Sequence, residues 1–248
     1  MSGAPRPPAI AFLALTLALA AALSPLSPGA ALAHRDDYID ETFVYQTLGA
    51  REFEIELWGE GHGGTGRATA LWSTAAFEYG VTSRWTLDAA GQWERAADAT
   101  RFGRLRAETR YRFAEEGKAP LDLAVSAEYE RERVGTSGEF EGTFTPRLVV
   151  SKDFRKDLNS TLNLDLPIAL DGEKDVSFAW ALGLRYPADA FVRGGVEIKQ
   201  HPSLHQAIAF PQVWFAFSHE MTFKLGAGIG LTPSTEPLIV RAVFEVEL

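Results

Sequence analysis

Apolar and polar residues alternate along most of this chain from Arg51 onward. In the stretch "REFEIELWGE", for example, glutamates separate Phe53, Ile55 and Leu57. A repeat of two residues predicts β-strands, because successive side chains of a strand point to opposite faces of the sheet. The alternating stretches have roughly 9 to 11 residues, which is the length that a tilted strand needs to cross a bilayer.

The pattern predicts about twelve strands in an even-numbered, antiparallel arrangement. The first five are "REFEIELWGE", "TALWSTAAFEY", "RWTLDAAGQWE", "FGRLRAETRYRF" and "LDLAVSAEYERE". The other seven cover residues 143–151, 160–170, 176–186, 191–199, 206–219, 221–231 and 238–248. Breaks after odd-numbered strands, such as "GHGGTGRA" and "RAADATRFG", are longer or more polar than "GVTS" and "SHEM", which follow even-numbered strands. This asymmetry is typical of an outer-membrane barrel with both chain ends on the short-turn, periplasmic side.

The first residues have the pattern of a cleaved secretory signal peptide. Arg6 precedes an apolar run over 9–23, and a spacer with two prolines leads to "ALA" at 31–33. The apolar run is too short for a convincing transmembrane helix. The predicted organisation is therefore a signal peptide over 1–33, cut after Ala33, a periplasmic N-terminal extension over 34–50, and a barrel over 51–248. The extension is expected to fold against the base of the barrel or into its opening.

Composition narrows the class of protein. The chain has no cysteine, so disulfides do not determine its fold. Its 33 acidic residues outnumber 24 basic ones, which argues against a nucleic-acid partner. After the signal peptide there is no second run of apolar residues long enough for a membrane helix. If the chain lies in a membrane, it must form a closed barrel, because only closure satisfies all backbone groups of strands in hydrocarbon.

Periodicity alone does not say which face of the strands meets lipid. In a soluble sandwich or lipocalin-like barrel the apolar face would point inward. However, a soluble closed barrel usually has about eight strands, whereas twelve is common in the outer membrane. Aromatic residues also cluster toward the predicted strand ends, as an interfacial girdle requires. These are Trp58, Trp72, Trp85, Trp93, Tyr111, Tyr129, Tyr186 and Trp214. The predicted fold is all-β, a single closed antiparallel up-and-down transmembrane β-barrel.

With the apolar face outward, the charged residues line the lumen. Across "AEEGKAP", inward-facing partners can be matched as Arg112 with Asp122, Arg106 with Glu128 and Arg104 with Glu130. Across "GVTS", the same exercise matches Glu78 with Arg84 and Thr74 with Asp88. The predicted lumen-lining residues are Arg104, Arg106, Arg110, Arg112, Asp88, Asp122, Glu128, Glu130, Glu78 and Arg84. Small inward residues are expected to leave space opposite the arginines. These are Ala179, Ala181, Gly183, Gly226, Gly228 and Gly230.

Other chemistry has little support in the sequence. "HPS" at 201–203 is loosely similar to the His-x-Ser of the outer-membrane phospholipase family, but Asn159 and Asn163 are predicted at the opposite side of the barrel. We therefore predict no enzyme. His34 would offer an α-amine and an imidazole to a copper-type ion after cleavage, yet no second histidine is near in sequence. The glycines of "KLGAGIG" precede no helix and no Lys-Ser/Thr pair, so they are not a phosphate loop. No cofactor is predicted.

The hairpin "EYGVTSRWTL" and the final strand "LIVRAVFEVEL" resemble those of Gram-negative outer-membrane barrels. Over 51–248 the pattern is similar to the transporter- and porin-like group that includes the MetA-pathway proteins of phenol degradation. Leu248 departs from that pattern, which favours an aromatic last residue. The resemblance implies a protein in the outer-membrane lipid that lets small polar solutes pass. We expect a narrow, charged lumen; the alternative is a non-conducting structural barrel whose N-terminal extension binds a periplasmic partner.

Overall fold

The computed structural model describes residues 37–248, except 41, 64–69, 97–98, 115–117, 136–137, 155–157, 173–174 and 188–189. The predicted signal peptide and His34 lie outside the described residues. Described strands are β1 (Phe53–Gly63), β2 (Ala70–Thr82), β3 (Trp85–Ala96), β4 (Ala99–Arg112), β5 (Asp122–Val134), β6 (Glu139–Phe154), β7 (Leu158–Asp165), β8 (Ile168–Ala169), β9 (Ala179–Tyr186), β10 (Val192–His201), β11 (Gln206–Ala216), β12 (Met221–Gly230) and β13 (Leu238–Glu247). A 3₁₀ turn, Pro202–Leu204, joins β10 to β11. Within these residues, none of the helical structure is long and apolar enough to cross a membrane.

The strands close into one antiparallel barrel. Neighbours in the sheet follow the order β5-β4-β3-β2-β1-β13-β12-β11-β10-β9-β7-β6, and pairing of β5 with β6 completes the ring. The short β8 only extends β6 at one edge. The barrel thus has twelve principal strands, which confirms the predicted fold. We call the end where β1 begins and β13 ends the base, and the opposite end the mouth; the base is the end predicted to face the periplasm.

Burial alternates along each strand with the polar side chains inside. On β3, Asp88 and Gln92 are buried, whereas Leu87 and Trp93 are more than two-fifths exposed. This is the reverse of a soluble protein and is typical of a membrane barrel, whose outer surface is solvated by lipid chains. The outer face is apolar on both halves of the barrel. Its exposed large side chains include Phe77, Leu105, Tyr111, Val125, Phe144, Leu184, Phe191, Leu225, Ile229 and Val240.

The aromatic girdle is only partly as predicted. Trp85 and Trp93 are exposed on the outer face, as are the three tyrosines of the predicted set. Trp58 and Trp214 are instead buried in the lumen, because they share the inward parity of their glutamate and glutamine neighbours. Trp72 also lies on the inward parity of β2, where its ring is 5.3 Å from that of His62.

The predicted strand registers were wrong. On β4 and β5, Arg104 is opposite Glu132 and Arg106 is opposite Glu130, two residues from the predicted match. The connection between the two strands is longer than predicted, because Phe113 N donates to Leu123 O at 3.0 Å, whereas the predicted register places Phe113 opposite Leu121. An even shift leaves every side chain on its predicted face.

The observed register of the hairpin between β2 and β3 differs from the predicted register by four residues. Thr82 pairs directly with Trp85, so the turn is shorter than "GVTS" suggests. Glu78 is therefore opposite Asp88. Arg84 lies in this turn, exposed at the base, and its predicted place in the lumen is a further error.

Several predicted loops at the mouth are strand. β3 continues to Ala96 and β4 begins at Ala99, so most of "RAADATRFG" belongs to a hairpin. In the same way β5 continues to Val134 and β6 begins at Glu139. Polar residues at these ends keep the pairing, as in the ion pair of Arg101 with Glu94 at 2.7 Å. At these two breaks, long hairpins and not long loops account for the polar residues of the sequence.

A plugged and charged lumen as the candidate functional site

Residues 37–40 and 42–48 lie inside the barrel, where they form what we call the plug. Val44 and Tyr45 are fully buried, and most of the other described residues of the plug are nearly so. The plug leaves β1 at the base, where Leu48 N donates to Thr86 Oγ1 at 3.0 Å. It turns back at Asp40, where Tyr38 N donates to Thr42 O at 3.1 Å. Both limbs therefore point toward the base, and the structure places the described part of the predicted extension inside the lumen.

Carboxylate and cationic groups of β10 and β13 hold the tip of the plug. Glu197 accepts hydrogen bonds from Asp40 N at 2.8 Å and from Thr42 N at 2.7 Å, and the Thr42 hydroxyl also donates to it. Arg241 donates to Ile39 O at 2.7 Å and pairs with Asp40 Oδ1 at 3.0 Å. These bonds satisfy backbone groups that have no strand partner, which is the usual requirement for buried amides.

Arg110 of β4 joins the two limbs of the plug. Its guanidinium binds both carboxylate oxygens of Asp37, at 3.1 and 3.0 Å, and donates to Val44 O at 3.1 Å. Lys224 Nζ donates to Asp37 O at 2.7 Å from the opposite side. A two-pronged arginine–carboxylate pair is among the strongest hydrogen-bonded contacts in proteins. Arg110, predicted as a lumen residue, is therefore the main anchor of the plug.

Aromatic rings of the plug stack on arginines of the lumen. The guanidinium carbons of Arg110 and Arg147 each lie 4.2 Å from the centre of the Phe43 ring. Asn163 exchanges two hydrogen bonds with the backbone of Phe43, at 2.8 and 2.9 Å. Cation–π contacts of this kind are stronger when they are shielded from water. Phe43 is thus fixed both through its ring and through its backbone.

Tyr38 fills the part of the lumen that the small residues leave open. Its hydroxyl donates to Asn159 Oδ1 at 2.9 Å, and its ring meets Trp214 edge-on at 5.7 Å. Burial raises the pKa of the Tyr38 hydroxyl above its ordinary value, so the group stays a neutral donor. A Cβ atom on Gly183 would lie 2.5 Å from the Tyr38 ring, and one on Gly226 would lie 3.0 Å from Ile39. Gly183 and Gly226 therefore make room for the plug, whereas Gly228 and Gly230 face Phe210 of β11 and the backbone of Glu236.

The other predicted arginines form ion pairs in the lumen or lie at the base. Arg104 pairs with Glu130 at 3.1 Å, and Arg106 pairs with Asp88 at 3.2 Å. Arg112 is half-buried at the base, where it donates to Ser83 O at 2.8 Å. Arg106 is also stacked on Trp58 at 5.4 Å.

The predicted acids are spread along the lumen. Asp122 and Glu78 are buried. Glu128 lies 3.8 Å from Arg147, a residue that was not predicted to line the lumen. In the observed register, Glu128 is not opposite Arg106. Further lumen ions that the sequence analysis missed are Glu54, Glu56, Glu60, Glu108, Arg147, Glu197, Lys224, Arg241 and Glu245. All of them stand on the inward parity of their strands, and this parity was the available signal.

One cavity lies where the plug meets β1 and β13. It has a volume of about 20 Å³ and lies among Asp37, Glu56, Glu78, Lys224 and neighbouring side chains. A space of this size accommodates water but no solute.

The weak enzyme candidate does not assemble as a Ser-His-Asn set. His201 at the mouth is hydrogen-bonded to Ser177 at 3.2 Å and to Ser203 at 3.1 Å. Asn159 and Asn163 are instead committed to the plug.

Comparisons with known proteins identify the fold. No family model matches the chain, and no curated protein matches it. The outer-membrane channel of group COG4313 from Pseudomonas putida F1 shares 14% sequence identity with a TM-score of 0.58, over 82% of this chain and 98% of that one. The KdgM porin shares 12% identity with a TM-score of 0.58, over 78% and 98%. The NanC porin shares 12% identity with a TM-score of 0.52, over 77% and 98%. This likeness and the apolar exterior agree with the predicted outer-membrane location.

Proposed function

We propose that the protein is an outer-membrane channel for small polar solutes, and that its own plug closes the charged lumen. The observation that carries the proposal is that the described plug residues belong to no strand. Side chains of the lumen hold the plug, so it can leave without breaking any strand pairing of the barrel. The channel architecture of the similar structures supports passage, and the lining of ion pairs supports polar cargo.

The charge of the plug also bears on the kind of solute. Asp37 and Asp40 supply carboxylates to Arg110 and Arg241, respectively. Movement of the plug would remove both carboxylates and leave the lumen more positive. The buried acids on the inward positions of the strands still outnumber the buried bases, however, so the open channel is expected to prefer small cationic solutes to anions.

Recordings in planar bilayers test the proposal. We compare the mature chain with a variant that lacks residues 37–48, each checked for a folded barrel by its altered gel mobility without heating. The expected result is rare, small current steps for the intact chain and steady current for the deletion. A gradient of potassium chloride should then give a reversal potential of the sign for potassium preference. A folded deletion variant that carries no current would contradict the proposal and support the non-conducting alternative.

A further inference from the structure

We propose that the outer face of the barrel, at the mouth end of β3 to β6, binds a phosphorylated, acylated lipid of the outer leaflet. The feature that suggests it is a group of arginines on the lipid-facing side. Arg95 and Arg131 are exposed there, and Arg133 is half-buried. Their odd positions share the outward parity of Trp93 on β3 and of Tyr129 on β5. We call these three residues the arginine patch.

The arginine patch stands at the level where lipid headgroups are expected. The outward positions of β5 are apolar or aromatic from Leu121 to Tyr129, and Arg131 and Arg133 follow directly. At roughly 3.3 Å per residue and a tilt near 40°, that apolar run covers most of the hydrocarbon thickness of an outer-membrane barrel. Charges placed two and four residues further along therefore lie in the headgroup layer.

Aromatic residues and backbone carbonyls hold the arginines in place. Arg133 Nε donates to Phe102 O at 2.9 Å, and its guanidinium covers the Phe140 ring at 4.8 Å. Arg131 Nη2 donates to Phe140 O at 2.9 Å, so its head points away from the hydrocarbon. A guanidinium has several N–H donors in a fork that matches phosphate, and one bond to a carbonyl leaves the fork able to bind an anion.

The charge distribution on the outer face singles out this side. On the outward parity of the described strands, the charged side chains are those of the arginine patch and Lys152, which lies near the base. Glu132 and Glu141 are near the patch in sequence, but they face each other on the lumen side. Below the patch, exposed Leu105, Tyr129 and Phe144 offer an apolar surface for acyl chains. A ligand with phosphates above and acyl chains below fits this surface, and lipid A has this chemistry.

Native mass spectrometry of the mature protein in detergent tests the proposal. The probes are lipid A, lipid A without its phosphates, phosphatidylglycerol and inorganic pyrophosphate. The variants are the triple change Arg95→Gln, Arg131→Gln and Arg133→Gln, and the control Lys152→Gln, which removes an outward cation at the other end. We expect the triple variant to bind lipid A about tenfold more weakly or worse, because charge-assisted hydrogen bonds are lost. The control should bind like the unchanged protein.

Each outcome decides the question once gel mobility shows that the variants are folded. Equal binding of lipid A by the triple variant would overturn the proposal, as would equal weakening in the control. Binding of pyrophosphate as tight as that of lipid A would identify an anion site without lipid specificity and would also overturn it. Weaker binding of the dephosphorylated probe and of phosphatidylglycerol is the supporting result. The channel recordings do not enter this test, so either proposal can fail alone.

Discussion

Replacing Gly183 by valine is expected to drive the plug from its closed position. A Cβ atom at this position would lie 2.5 Å from the Tyr38 ring, which is closer than real contacts allow. The backbone of Gly183 is paired with strands on both sides, opposite Thr161 and Glu197. Tyr38 belongs to no strand, so it is the group that must yield.

The size of the effect follows from what Tyr38 loses. Overpacking in a filled interior costs about 1–3 kcal/mol. Loss of the hydrogen bond to Asn159 adds about 1 kcal/mol. A total of about 2–4 kcal/mol shifts the balance between closed and open plug by about 30- to 1000-fold.

A single reporter cysteine measures this shift, because the chain has no cysteine of its own. We place it at Val44, which is fully buried in the closed plug. Labelling by a polar maleimide should be faster in the Gly183→Val background by about the factor given above, and current in bilayers should rise in parallel. Gly194→Val is the matched control, since a Cβ there meets only Tyr186 O at 3.6 Å. A folded Gly183→Val variant with a protected cysteine and no added current would refute the reasoning.

Three further predictions concern the anchors and the outer face. Arg110→Gln should lower the free energy of unfolding by about 3–5 kcal/mol, because it leaves the buried carboxylate of Asp37 without its arginine. Adding Asp37→Asn should recover part of this loss. Additive losses for the two changes, measured by urea titration in lipid vesicles, would contradict the pairing. Glu197→Gln should weaken the binding of the tip of the plug to the lumen by about 1–3 kcal/mol. The expected result is faster maleimide labelling of a cysteine in the plug, and unchanged labelling would show that this carboxylate is not an anchor. Val125→Arg, in the middle of the outer face, should lower the free energy of unfolding by about 2–4 kcal/mol, whereas Leu121→Arg near the base should lower it by about 0–1 kcal/mol. Similar losses for the two variants would argue against lipid at Val125.

The sequence was sufficient for the barrel but not for its registers. Alternation determines the face of each residue, and Asp88, Arg106 and Arg110 are inside as predicted. Register depends on where each turn is tightest, and "GVTS" contains no glycine or proline arrangement that distinguishes a two-residue turn from a four-residue one. Because both errors were even, the strand residues kept their faces while individual partners changed, and Arg84, which lies in the turn, left the predicted lumen set.

The plug could not be predicted as a structure because it has no periodicity. Its residues contact many strands through isolated hydrogen bonds, and no local pattern in "DYIDETFVYQTL" reports such contacts. An indirect signal was present in the small inward residues such as Gly183 and Gly226, which the sequence analysis interpreted as empty space. A region of glycine opposite charged strands implies an occupant, and the nearest available chain was the segment before β1.

The position of the plug constrains the order in which the protein can fold. Its anchors come from β4 and β7, and also from β10, β12 and β13, whose residues are among the last to be synthesised. Pairing of β1 with β13 closes the ring around it. The plug can therefore reach its final contacts only after β13 is in place. Docking of the plug is thus a late step, and a barrel that lacks its final strands would leave this segment without half of its binding partners.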